Sequence, residues 1–555
     1  MQVLKRPSIS QFPSSRAKGE GSVEVSLKIS QRDSSPFAKD DELNALPCGL
    51  DRSPFAVKPC PMVTNRPGRR TWRKIFLARW WQRRRTHIVL FVWAAIYLPG
   101  LGSLEIKGEE GRRILPAVTM LQTGNYLVPY VGSEPYFRKP PLVNWIVAAS
   151  FKLSGIRSEW TARLPSALAI LVVALTFVTC GRRALGTIGS LLAALIWLVN
   201  AGNMEKGRLI EIEAIYVSLT AIAFIIWAAA YRAERTGGQL WLLPAIFLGL
   251  GMLAKGPLPH LLFFYGPVIA VLWSDRKLSL LATREHGTAL IIMFGMFLAW
   301  ALPAFLLSDW GRVAHVWSRQ YTGRVSSSGF QFSSWIQNIP RGLVYFLPWL
   351  PLALLQFDQP VELRRRHFAL LTGIAVPFVL VNLIPGALPR FGMPALGPAS
   401  WWLGELLAHD NLRWPQWLSG KTLAPRLRNR IAVVFVVLGC IWGLAYGLIA
   451  VPLLRKHEKV RQHARQIDAI VPTNVALYAV NPKYQPYLFY VRAPLRYVST
   501  IEQLPIDTKF FLVQGSDEEE AQTTKHWSPS RAQMVLRIKD YREHEEVLFS
   551  VPSPR

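Results

Sequence analysis

The chain has 555 residues, of which 51% are hydrophobic and only 18% charged, too apolar a balance for an ordinary soluble protein. Its 64 Lys and Arg against 35 Asp and Glu leave a net charge of +29, but no nucleic-acid motif or basic stripe on a soluble domain goes with it. The four cysteines, Cys48, Cys60, Cys180 and Cys440, give no disulfide framework, and a thiol surrounded by lipid resists ionisation, which argues against cysteine catalysis.

In chain order, residues 1–68 are rich in Ser, Pro, Lys and Asp without sustained periodicity and read as a disordered cytoplasmic tail. They contain no apolar core of the signal-peptide kind, since no such run begins before residue 87. Residues 69–86 interleave Arg69, Arg70, Arg73, Lys74, Arg79, Arg83, Arg84 and Arg85 with Trp72, Trp80 and Trp81, the composition of a cytoplasmic interfacial anchor. Apolar runs then fall at 87–104, 161–180, 184–202, 214–231, 239–254, 258–273, 287–307, 339–357, 368–384, 391–408 and 431–453. Most approach the roughly 20 residues needed to cross a bilayer, so 87–453 reads as a polytopic transmembrane domain of about eleven helices. With residue 86 in the cytoplasm, Arg182-Arg183, Arg232 and Arg235, Arg276-Lys277, Arg364 to Arg366 and the stretch from Arg413 to Arg430 all fall in cytoplasmic turns, as the positive-inside rule requires. The segment 455–555 alternates short apolar runs (Val475–Val480, Leu488–Val491, Lys509–Val513, Met534–Ile538, Val547–Val551) with charged stretches and reads as a small α/β domain on the outer face.

The first outer loop, 105–160, carries the chemistry. Ile114, Ala117, Val118 and Leu121 follow helical spacing up to Gly124, and Leu142 to Leu153 is a second apolar run too short to span. Glu109 and Glu110 open this loop, and neighbours on a helix point about 100° apart, so the two carboxylates cannot face the same way. Glu109 shares a face with Arg112 and Arg113. That pattern suits either ordinary surface ion pairing or a carboxylate aimed into a cavity with Arg112 holding a phosphate. Lys139, in Tyr136-Phe137-Arg138-Lys139-Pro140-Pro141, precedes a proline that fixes an extended backbone, so it is displayed from a stiff turn. Further cations recur at outer ends: Arg208 before Glu211 and Glu213, Lys255, Arg324 and Arg390. They run against the positive-inside bias, and a shared anionic ligand would explain them. Neither a P-loop, a Ser-His-Asp order nor His/Cys metal spacing is present.

Glu109-Glu110-Gly111-Arg112, Gly124-Asn125-Tyr126-Leu127-Val128-Pro129, Glu134 to Pro141 and Ala162-Arg163-Leu164-Pro165-Ser166 occur in the order found in bacterial dolichyl-phosphate-mannose-protein mannosyltransferase-like proteins. The chain thus resembles a superfamily of GT-C fold that includes the aminoarabinose transferase of lipid A. Lys255-Gly256-Pro257, Tyr345-Phe346-Leu347-Pro348-Trp349 and Leu388-Pro389-Arg390-Phe391 look like its later landmarks, and the likeness runs over about 87–410. The resemblance implies that Glu109 is the catalytic acid, that Glu110 and Arg112 match the neighbouring site positions, and that Lys139 contacts the lipid phosphate. Arg208, Lys255, Arg324, Tyr345 and Arg390 complete the expected binding set. Two departures stand out: Arg113 replaces a usual Tyr, and Arg138 replaces a usual Glu implicated in metal binding, which argues against a divalent metal cofactor.

The implied function is sugar transfer, with inversion, from a polyprenyl-phosphate carrier to a lipid, glycan or protein acceptor outside a bacterial inner membrane. Membrane lipids are the other expected partners, and nucleic acid is not one. The competing class is a non-enzymatic transporter or flippase of lipid-linked sugars, which many spans and inner cations would suit equally.

Overall fold

The structure is a computed structural model that describes residues 84–106, 108–257, 259–308, 310–325, 332–357, 360–523, 532–539 and 544–552. The tail 1–68 and residues 69–83 of the expected anchor lie outside the described residues.

Helix α1 (84–97) leads into a loop and a 3-10 turn, Gly108–Glu110. Helices α2 (Gly111–Thr123) and α3 (Leu142–Ser154) follow, each closed by a left-handed glycine, Gly124 at φ 71° and Gly155 at φ 66°. These are the conformations that only glycine adopts without strain at a helix end. Between them a two-residue hairpin pairs β1 (Tyr130–Val131) with β2 (Glu134–Pro135).

The bundle proper is built from α4 (Glu159–Thr179), α5 (Arg182–Leu198), α6 (Ala201–Lys206), α7 (Ile212–Arg232), α8 (Gly238–Lys255), α9 (Pro259–Ser274), α10 (Arg284–Leu306), α11 (Trp310–Val325), α12 (Phe332–Ile336), α13 (Asn338–Val344), α14 (Val361–Asn382), α15 (Leu396–Leu407) and α16 (Pro425–Arg455). Short strands β3 (Gln356–Phe357), β4 (Leu412–Arg413) and β5 (Thr422–Leu423) form a small antiparallel sheet at one end. Among the described residues, α4, α7, α8, α10 and α16 are long and apolar enough to cross a membrane, while α3 and α9 are apolar but shorter. Helices occupy most of the expected runs. The exception is 339–357, where Pro348 and Pro351 leave only short α13 and a 3-10 turn at Leu350–Leu354.

Helix α7 sits at the centre, with 83% of its most apolar window buried, whereas α16 lines the periphery at 17%. Small residues set the closest approaches. A Cβ at Gly397 would lie 2.5 Å from that of Ala221, and one at Gly404 would lie 2.7 Å from that of Ala193. In lipid there is no hydrophobic drive between helices, so close backbone packing of this kind supplies the cohesion.

The C-terminal region folds as a five-stranded sheet in the order β7 (Leu495–Val498), β6 (Leu477–Val480), β8 (Phe510–Gln514), β10 (Glu545–Ser550), β9 (Gln533–Lys539). Strand β6 runs parallel to both neighbours, and β10 runs antiparallel to both of its own. The apolar run at Leu488–Val491 is not a strand: Pro486 starts a buried 3-10 turn there, and the strand falls at β7 instead. One continuous apolar cluster joins Ile114, Leu115 and Val118 of α2 and Phe151 of α3 to Ile467, Leu477, Leu512 and Leu548 of this region. The helical roof and the C-terminal sheet therefore share a core. Polar ties reinforce the joint: the Glu105 carboxylate accepts the backbone N–H groups of Lys459 (3.2 Å) and Arg461 (3.0 Å). The Arg461 guanidinium in turn pairs with Glu159 at the start of α4.

Candidate active site

The 3-10 turn at Gly108–Glu110 separates the two neighbouring carboxylates. Successive side chains on such a turn diverge by about 120°, so Glu109 and Glu110 leave it in different directions. Glu110 turns inward and is buried, accepting from Arg163 Nε at 2.8 Å and Nη2 at 2.7 Å, and from the Ile210 N–H at 3.0 Å. Arg163 completes its donors on the carbonyls of Leu101 (3.0 Å), Leu104 (2.8 Å) and Glu105 (3.1 Å). Glu109 turns outward; its side chain is 37% exposed and receives Arg112 Nη1 at 2.9 and 3.1 Å, with Arg113 at 3.9 Å.

Glu109 opens onto a cavity of about 430 Å³. Seven cations line it, Arg112, Arg113, Arg138, Lys139, Lys255, Arg319 and Arg390, against three carboxylates, Glu109, Glu211 and Glu213, so the wall carries an excess of four positive charges. The cations are delivered by several separate elements, with Arg112 and Arg113 both from α2. The β1–β2 hairpin and the prolines after it present Arg138 and Lys139, and this segment is pinned by Phe137, buried edge-on against Phe305 at 6.3 Å. The backbone N–H of Tyr136 donates to the Pro129 carbonyl at 2.7 Å, and its hydroxyl accepts from Arg113 at 2.9 Å. Burial works against the charge on Arg113, but Tyr136, Glu109 and Glu213 outweigh it and raise the pKa above the usual value. His315 and Arg319 come from one face of α11, four residues apart.

The carboxylates Glu211 and Glu213 stand at the mouth of α7. Glu211 is the helix N-cap in extended backbone (φ −111°, ψ 152°), so it shares a side with Glu213, which an i, i+2 pair within a helix cannot do. Glu213 is buried and pairs with Lys255 at 3.3 Å and with Arg390 Nε at 3.4 Å; Arg390 also lies 3.8 Å from Glu211. Lys255 Nζ further sits 4.8 Å from the ring centroids of both Tyr216 and Phe391. Burial raises the Glu211 carboxyl above its usual range, an effect that Lys206 at 3.2 Å opposes. A second cavity, of about 320 Å³, also has Glu109 and Glu211 in its wall, along with Glu105, Arg208 and Leu454.

Of the expected site residues, Glu109, Arg112, Lys139, Lys255 and Arg390 line the larger cavity. Three described ones do not. Glu110 is held by Arg163 and stands in the wall of the smaller cavity instead. Arg208 donates to the carbonyls of Ile96 and Pro99, closing the end of α1, and stacks 4.6 Å over Tyr446. It is a buried helix cap rather than a wall of the larger cavity. Tyr345 ends α13, where its carbonyl accepts the Gly202 N–H at 3.1 Å. Arg324 lies on α11, with its side chain outside the described residues. The sequence reading left Glu211, Glu213, His315 and Arg319 without a role, and took Tyr136 as an anchor of the turn that displays Lys139. The available signal was Glu-x-Glu at the start of an apolar span, because carboxylates at membrane depth are expensive and are kept where they have partners.

The donor set does not suit a divalent metal. Among the described residues no three His, Cys, Asp or Glu side chains are placed to hold one. The three carboxylates of the cavity are each engaged with Arg or Lys, and Arg138 adds a further cation to the same wall.

Fold and site together define a polytopic membrane protein with a cation-rich cavity under a helical roof, closed by a C-terminal sheet. Residues 138–301 match the family described as dolichyl-phosphate-mannose-protein mannosyltransferase. The chain is 27% identical over 386 residues to the undecaprenyl phosphate-alpha-4-amino-4-deoxy-L-arabinose arabinosyl transferase 2 of Pseudomonas fluorescens (strain Pf0-1), a match covering 66% of each. It is 27% identical over 341 residues to the corresponding transferase of Pseudomonas aeruginosa (strain UCBPP-PA14), covering 59% of this chain and 60% of that one. The chain thus spans just under two thirds of the length of these relatives. The fold matches that of ArnT from Cupriavidus metallidurans, solved bound to undecaprenyl phosphate, at a TM-score of 0.59 and 16% identity, over 87% of this chain and 98% of that one. In sequence the chain is thus similar to dolichyl-phosphate-mannose-protein mannosyltransferase-like and aminoarabinose transferase-like membrane proteins, and in fold it is similar to ArnT.

Proposed function

We propose that the protein is a membrane glycosyltransferase that takes a sugar from a polyprenyl-phosphate carrier and passes it, with inversion, to an acceptor at the membrane face. The carrying observation is the larger cavity: a carboxylate, Glu109, faces a wall with four more positive than negative charges. The acceptor oxygen attacks the anomeric carbon on the face opposite the phosphate. The new C–O bond forms as the bond to the carrier oxygen breaks, and that electron pair leaves with the lipid phosphate. Lys139, Lys255 and Arg390 neutralise the leaving phosphate, since fixed charges aimed at developing charge stabilise it without reorganisation. Glu109, held by Arg112 and Arg113, accepts the proton of a hydroxyl acceptor, while a phosphate acceptor needs only positioning. The smaller cavity, with Glu109 and Glu211 in its wall, gives the acceptor a separate approach. Curated relatives use an undecaprenyl-phosphate aminoarabinose donor by name, which supports the carrier class for this chain.

The test is transfer by the purified full chain from synthetic polyprenyl-phosphate sugars, wild type against Lys139→Ala. Loss of one preorganised charge of this kind lowers turnover by about a hundredfold. Equal turnover and donor affinity in the variant would make Lys139 an interfacial anchor. Movement of intact lipid-linked sugar without bond cleavage would replace the enzyme with a transporter.

The same reading puts the protein in a bacterial inner membrane, with residue 86 cytoplasmic and both the first loop and 455–555 outside. It rests on the Arg-rich turns from Arg182 to Arg430. A phosphatase fused at residue 500 is expected to be active, and activity of a cytoplasmic reporter there would overturn the orientation.

A further inference from the structure

We propose that the C-terminal region positions the active site through Tyr484, which fixes Arg112 and thereby Glu109; the proposal rests on the glycosyltransferase reading above. The Arg112 guanidinium lies 3.9 Å from the centroid of the Tyr484 ring while its Nη1 holds both oxygens of Glu109. One face of the planar cation is thus covered by an aromatic from a remote part of the chain, and its edge is left to orient the carboxylate.

The presentation of Tyr484 is rigid. It belongs to the segment 481–486, where Asn481 and Lys483 both take left-handed backbone, at φ 42° and 54°, a conformation that costs free energy in non-glycine residues. Both ends of the segment are tied to the sheet. The Asn481 N–H donates to the Val498 carbonyl at 2.9 Å and its carbonyl accepts from Gln514 Nε2 at 2.8 Å. At the other end, buried Glu546 accepts from Gln485 Nε2 at 2.9 Å and from the Tyr487 hydroxyl at 3.3 Å. The segment also presses on both halves of the active-site loop. A Cβ at Gly111, the residue before Arg112, would lie 3.2 Å from Pro486 Cγ. One at Gly132, in the turn of the hairpin that leads to Lys139, would lie 3.2 Å from Pro482 Cδ. A single short segment therefore sets the height of the Glu109–Arg112 pair and of the hairpin that leads to Lys139.

The role is one of positioning, because Tyr484 is not among the residues lining either cavity. The experiment compares Tyr484→Phe, Tyr484→Trp and Tyr484→Leu in the full-length purified protein, with kcat and donor KM from a polyprenyl-phosphate sugar and thermal stability measured side by side. Phe and Trp keep the ring face and are expected to stay within about twofold of wild-type kcat; Leu is expected to lose about tenfold in kcat with donor KM little changed. In an Arg112→Ala background, Tyr484→Leu should cost nothing more, since residues that act through one another are not additive. Wild-type kcat in Tyr484→Leu, or an undiminished further loss in the Arg112→Ala background, overturns the positioning role and leaves the glycosyltransferase reading intact. A loss that follows thermal stability equally across all three variants also overturns it. Absence of transfer by the wild type from every polyprenyl-phosphate sugar overturns both.

Discussion

Glu109→Gln is expected to lower transfer to a hydroxyl acceptor by about 10²- to 10⁴-fold, the range a positioned general base supplies. The substitution keeps the shape of the side chain and leaves Arg112 an amide oxygen to bind. The 37% exposure of Glu109 makes any cost in stability small. Glu109→Asp withdraws the carboxylate by one methylene without removing it and should keep part of the activity. The check is single-turnover transfer by each purified variant, with melting followed in parallel. Wild-type turnover in Glu109→Gln would falsify the proposed chemistry at its centre.

Glu110→Ala, one residue away, is expected to act on the fold instead. Glu110 and Arg163 keep only 5% and 4% of their side-chain surface exposed, so truncating the acid strands a buried guanidinium. Breaking such a pair from one side costs about 3–5 kcal/mol. The three carbonyls that Arg163 retains point to the lower end of that range. The signature is a double-mutant cycle on thermal unfolding: Glu110→Ala alone melts well below wild type, and pairing it with Arg163→Met recovers part of the loss. If Glu110→Ala melts with the wild type but loses transfer, Glu110 belongs to the chemistry after all.

Much of this was legible in the chain. The helical run ending at Gly124, the short apolar helix after Pro141 and the stiff turn displaying Lys139 were written in periodicity, glycine and proline. So was the divergence of Glu109 from Glu110, because it follows from the geometry of any helical turn. Which of Arg112, Arg113 and Arg163 each carboxylate would choose was not legible, since Arg163 reaches Glu110 across 53 residues. The partners of Arg208 were not legible either, since the carbonyls at the end of α1 are more than a hundred residues away. The strand at Leu495–Val498 was missed for the opposite reason: the more apolar stretch before it is held in a 3-10 turn by Pro486.

The pairing of Glu213 with Lys255 and Arg390 has a consequence for the catalytic cycle. On the glycosyltransferase reading proposed above, a lipid phosphate that reaches these two cations must compete with carboxylates already in place, Glu213 beside both and Glu211 3.8 Å from Arg390. Such an exchange is nearly balanced, because each cation gives up one anionic partner as it takes another. The balance shifts as the carrier phosphate gains a second negative charge on losing its sugar, so the grip is firmest during departure of the leaving group and slackens when that phosphate is protonated. On the same reading, Glu213 competes for these two cations again once the sugar has been transferred.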